Sequence, residues 1–161
     1  MVKKLYILLL LLIVISTPLS IVKISNETNK SKDNTYGKII INKINLKEEL
    51  YPIDSSENTI ERHISILKGS IYPDLMIIAA HSGIGPIAYF QELNKLELND
   101  EIILIIKNKK SIYKVKDIWE EKKNGYINFN KELKNQLILT TCSPNKEGYQ
   151  LVINCIEKES I

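Results

Sequence analysis

Residues 137–144 read Leu-Ile-Leu-Thr-Thr-Cys-Ser-Pro, an apolar, β-rich run that stops at a cysteine and then at turn formers. Such a run reads as a buried strand that carries a thiol to its rim. A second run, residues 75–80, ends in the same way at His81 and is followed by the loop Ser82-Gly83-Ile84-Gly85-Pro86. Two strands thus end in a thiol and an imidazole. In cysteine catalysis the nucleophile and its base come from separate parts of a chain and meet only in the fold. Neither residue is diagnostic alone, because a lone cysteine is usually packing and a lone histidine often a satisfied hydrogen-bonding group. Their joint placement points to chemistry.

The remaining runs are short and punctuated by turns. Residues 37–41 and 44–51 read as strands, the second ended by Pro52, and residues 63–67 as a shorter one. Residues 101–106 form a further strand, and Asn108, Lys109 and Lys110 turn it into residues 111–119, with 151–156 as the last. Ile87, Tyr89, Phe90, Leu93 and Leu96 fall near a helical period and predict a short helix packed on the sheet. Short strands with turns between them and little helix predict a mainly β fold. The expectation is a closed or nearly closed β-barrel of about seven to eight strands with one or two short helices.

Residues 1–22 begin Met-Val-Lys-Lys and continue as a largely apolar stretch, which suits a cleaved signal peptide or an uncleaved anchor. No Ala-x-Ala pattern follows it, which favours an N-terminal transmembrane signal-anchor. With Lys3 and Lys4 held on the cytoplasmic side, the chain is expected to be a single-pass protein of the cell membrane with its folded domain outside. Residues 23–36 are polar and aperiodic and read as a linker; residues 37–161 are long enough for one core. Of the formal charge of +3, two belong to Lys3 and Lys4, and Arg62 is the single arginine. No basic patch calls for nucleic acid.

Outside the cell, two cysteines suggest a disulfide. A hairpin centred near Lys146, however, sets Cys142 opposite Gln150 and leaves Cys155 about five residues further along, roughly 16 Å at 3.3 Å per residue, and on the other face. A disulfide needs Cα atoms within about 7 Å. Cys142 is therefore read as a free thiol and Cys155 as core. The same register puts Gln150 on the face of Cys142, and strand alternation adds Thr140 but not Thr141. Glu120 and Glu121, followed by Lys122 and Lys123, do not make an oxygen cage and read as a solvated face, so no metal and no cofactor is expected. His63 is read as a surface residue.

At these residues the chain resembles the sortases, the cysteine transpeptidases of Gram-positive cell surfaces. The resemblance rests on Ala79-Ala80-His81 after one strand and Leu139-Thr140-Thr141-Cys142 at the end of another. It extends over about residues 37–156, including Gly37-Lys38-Ile39-Ile40-Ile41 and the series Phe90, Leu93, Leu96, Asn99, Asp100, Ile103. It implies a sortase-type barrel with Cys142 as nucleophile and with Ala80, Ser82, Thr140 and Thr141 along the substrate groove. His81 serves either neutral, as the base that takes the thiol proton, or charged, stabilising the thiolate and then protonating the leaving amine. It further implies cleavage of a C-terminal sorting signal of the Leu-Pro-x-Thr-Gly kind on surface proteins. The acyl group would be held as a thioester and passed to an amine of a cell-wall precursor or of another protein.

One position departs from the family. Sortases carry an arginine on the strand after the cysteine, and here that position holds Gln150, assigned as the third catalytic residue. A glutamine amide donates two hydrogen bonds without charge, and charge-assisted bonds are about twice as strong as neutral ones. Lys146, close in sequence, is one candidate for compensation but reads first as a solvated turn lysine. The alternative is a catalytically weakened sortase-like barrel that binds peptides or partners.

Overall fold

The structure is a computed structural model that describes residues 35–67 and 74–160. Its strands are β1 (Gly37–Ile41), β2 (Leu46–Leu50), β3 (Ser65–Ile66), β4 (Leu75–Ala79), β5 (Glu101–Ile106), β6 (Lys109–Lys122), β7 (Gln136–Cys142) and β8 (Tyr149–Ser160). They form one sheet in the order β2-β1-β5-β6-β8-β7-β4-β3, rolled into a nearly closed barrel whose unjoined edges are β2 and β3. The neighbours pair antiparallel except β4 and β7, which run parallel.

That parallel pair accounts for the continuous apolar run in the sequence. Leu137 and Leu139 point into the barrel core with Ile39, Ile78, Phe90, Leu104 and Ile153. Ile138, between them, joins Leu75, Ile77 and Val152 in a second cluster on the outer face, covered by Leu67, Trp119, Ile127 and Phe129. A strand buried on both faces has no polar side to alternate with. Burying each such side chain contributes about 1.5–3 kcal/mol before the entropy of ordering it is counted. Cys155, as expected, is buried in the core and unpaired. Burial pushes its thiol well above the ordinary value.

Three expectations shift. The helix expected over residues 87–96 is instead a series of tight turns that closes with the 3-10 helix Leu93–Lys95. Its bonds run from Ala88 N–H to Gly85, Gln91 to Ala88, Leu93 to Phe90 and Leu96 to Leu93, each spanning three residues. Phe90, Leu93 and Leu96, the buried positions, recur every third residue, which is the period of a 3-10 spiral rather than 3.6. The second hairpin turns on Lys107 and Asn108, with φ of 48° and 66°, rather than on residues 108–110. Two positive φ values are what a two-residue turn needs to match the twist of its strands. The strands β6 and β8 outrun their expected ends because each is the other's partner, with register shifts at Ile112/Tyr113 and Val115/Asp117.

The expected membrane segment, residues 1–22, and residues 23–34 of the linker lie outside the described residues. Among those described, no helix is long and apolar enough to cross a membrane.

Candidate active site

Parallel pairing sets the two sequence-predicted reactive side chains at one level. In the β4–β7 register Ala79 lies beside Thr140, and the pairing continues past the end of β4 through Ala80 N–H to the Thr140 carbonyl at 3.4 Å. Two residues beyond Ala79 and Thr140 stand His81 and Cys142, on the same outer face by alternation. Two hydroxyls pin these strand ends together. Thr141 Oγ1 donates to the Ala80 carbonyl at 2.8 Å, and Ser82 Oγ donates to the Cys142 carbonyl at 3.1 Å. The Phe90 N–H, 2.9 Å from the His81 carbonyl, ties the histidine to the core from the other side.

His81 and Cys142 line one cleft of about 260 Å³ whose apolar walls are Ile60, Leu67, Ala79, Tyr126 and Ile127, with Thr140 and Gln150 on its floor. Cys142 is exposed and unpaired. Glu61 lies within electrostatic range of the imidazole. Its carboxyl is lowered chiefly by the Thr59 hydroxyl, next by its own backbone N–H, and to a smaller extent by His81. The cleft can therefore bring an accessible sulfur and an imidazole to a peptide laid along its apolar wall.

The expected groove residues divide. Thr140 faces the cleft, with Oγ1 donating to the Leu151 carbonyl at 3.0 Å. Thr141 and Ala80 also border the cleft, but the Thr141 hydroxyl is engaged by the Ala80 carbonyl and Ala80 packs in the core. Ser82 is a brace on the Cys142 carbonyl and does not line the cleft. His63 stands apart, with Nε2 3.3 Å from Glu57 and its ring 4.6 Å from that of Tyr51.

Gln150 pairs with Cys142 as the hairpin register predicts. Its amide, however, is not a free donor. Nε2 lies 3.0 Å from Glu121 Oε1 and 2.9 Å from the Tyr126 carbonyl, which takes both of its hydrogens. Gln150 thus ties β8 to the loop over residues 123–135. Lys146 does not supply the missing charge either: its ammonium sits 3.5 Å above the Tyr149 ring. The cation at the thiol is one that sequence reasoning passed over: Lys123 Nζ is 3.6 Å from Cys142 Sγ.

Nor are Glu120 and Glu121 an idle solvated face. Glu120 accepts from Ser143 Oγ at 2.7 Å and Asn145 Nδ2 at 3.1 Å, which fixes the turn after the cysteine. Glu121 accepts from Asn128 Nδ2 at 2.7 Å as well as from Gln150. Burial alone would raise the Glu121 carboxyl, but the bonds from Asn128 and Gln150 prevail and hold it below its ordinary value of 4.5. A depressed carboxyl stabilises the fold above its unfolded-state pKa, and the contribution is lost as pH falls through the depressed value. Wild type is therefore expected to exceed Glu121→Gln in urea midpoint at about pH 6 and to converge with it near pH 3. Parallel curves at both pH values would show that Glu121 does not brace the loop in its charged form.

A sortase-domain family model matches residues 39–156. A search of curated proteins finds no match. Among solved structures, sortase C1 of Streptococcus agalactiae is 27% identical, with a TM-score of 0.65 over 80% of this chain and 69% of that one. Sortase C of Streptococcus pneumoniae is 21% identical, with a TM-score of 0.65 over 79% of this chain and 68% of that one. A lid mutant of sortase A from Corynebacterium diphtheriae is 21% identical, with a TM-score of 0.65 over 78% of this chain and 70% of that one. The family model spans well over half of the sequence, and the chain belongs to the sortase family.

Proposed function

We propose that the chain is a membrane-anchored sortase that cuts a Leu-Pro-x-Thr-Gly-like signal in surface proteins and transfers the acyl fragment through a thioester on Cys142 to an amine. What carries this reading is the level ending of two neighbouring parallel strands in an exposed thiol and an imidazole that share one cleft. Neutral His81 takes the thiol proton, and sulfur attacks the scissile carbonyl. Protonated His81 then returns a proton to the departing amine. An acceptor amine reverses the sequence and leaves with the acyl group. The apolar walls from Leu67 and Ile127 suit a peptide with an apolar first position. Residues 1–22 hold the domain at the outer face of the cell membrane.

Incubating the full-length chain with a library of sorting peptides and several amines, and reading products by mass, tests the proposal. The expected products are an acyl adduct on Cys142 and a peptide joined to amine. A library left uncut, with no adduct on Cys142, would overturn it.

The second reading, a barrel that binds peptides without turning them over, draws on the engaged amide of Gln150. Gln150→Arg separates the two. A rise of several orders of magnitude from almost no activity favours the binder, and little change or a loss favours the working enzyme.

A further inference from the structure

Two carboxylates precede Lys123, yet neither neutralises it. Glu120 is occupied by Ser143 and Asn145, and Glu121 by Asn128 and Gln150, all neutral donors. Among the described residues no ion pair involves Lys123, and its ammonium is directed at Cys142 Sγ, 3.6 Å away. The backbone holds it there. Lys122, the last residue of β6, pairs with Tyr149, and the Lys123 N–H donates to the Gly148 carbonyl at 2.9 Å. The lysine therefore leaves the sheet beside the turn that follows the cysteine.

Resting on Cys142 as the nucleophile, we infer that Lys123 is a catalytic cation of the site, supplying from the β6 end the charge that Gln150 lacks. Before attack, the ammonium donates to the thiolate. As sulfur bonds to the scissile carbon, the carbonyl π pair moves onto oxygen, and the same ammonium shifts to the oxyanion. When the carbonyl re-forms, the carbon–nitrogen bond breaks, the amine takes its proton from His81, and Lys123 keeps all of its own. A compact charge on a flexible four-carbon stem suits such a move, whereas a planar guanidinium would be fixed by bidentate contacts. Gln150 carries no charge, so the ammonium joins the His81 imidazolium as the positive charge that the developing oxyanion meets in this cleft.

The test uses two alkylating probes of similar size, anionic iodoacetate and neutral iodoacetamide, on the full-length chain. Cys155 is buried, so modification of the folded protein reports on Cys142. An ammonium beside sulfur speeds the anionic probe selectively. The ratio of the two rates is expected to fall about fivefold in Lys123→Met and to stay near wild type in Lys123→Arg. An unchanged ratio in Lys123→Met overturns the inference, whatever the protein's activity. With a sorting peptide, Lys123→Met is expected to lower kcat on the order of 10²-fold and to leave KM within about twofold. A kcat equal to wild type overturns the oxyanion role. If wild type turns over no peptide, the transpeptidase reading fails while the alkylation ratio still decides the place of Lys123.

Discussion

Cys142→Ala is expected to bring peptide cleavage and adduct formation below detection, a fall on the order of 10⁶-fold. The covalent route has no substitute in the cleft: Thr140 is committed to the Leu151 carbonyl, and Cys155 lies in the core. His81→Ala is a useful contrast. It removes proton transfer but leaves the sulfur, so its cost is expected to be smaller, about 10²- to 10⁴-fold, and a slow thioester should still form. Both variants are read by cleavage rate and by intact mass. Wild-type turnover by Cys142→Ala would end the nucleophile assignment.

The second large effect is on stability. Phe90 is fully buried in the barrel core, and its N–H holds the His81 carbonyl, so one residue links the packing to the site. Phe90→Ala is expected to cost about 3–5 kcal/mol in lost burial and residual cavity. A domain of this size holds about 5–15 kcal/mol in total. Cys155 supplies an internal reporter, because its thiol reacts only when the core opens. If opening is fast relative to labelling, its rate in Phe90→Ala should rise roughly 10²- to 10⁴-fold, at about 1.4 kcal/mol per factor of ten. Unaltered Cys155 labelling would show that the 90–96 segment is not part of the cooperative core.

Much of this was legible before any coordinates. The two runs that end in His81 and Cys142 announce themselves because a strand covered on both faces must be apolar throughout. The register of Cys142 with Gln150 follows from counting outward from a turn at Lys146, since no bulge interrupts that hairpin. Lys123 was not legible for the converse reason. Its position depends on the β6–β8 pairing, where two register shifts break the count. A lysine after two glutamates also looks solvated until those glutamates are found bonded to Ser143, Asn145, Asn128 and Gln150. The tight turns over residues 87–96 carry a pattern that a helix would share, because spacings of three and of 3.6 differ little over three repeats.

The parallel contact of β4 with β7 also bears on how the molecule assembles. Those strands are joined by a long stretch that must itself fold through β5 and β6, so their contact closes a large loop. Contacts between distant residues cost more chain entropy and form slowly. A nascent chain will have its β5–β6 hairpin in place before β7 docks. In that interval the sulfur exists without its imidazole, so the reactive pair comes into being only as the barrel does.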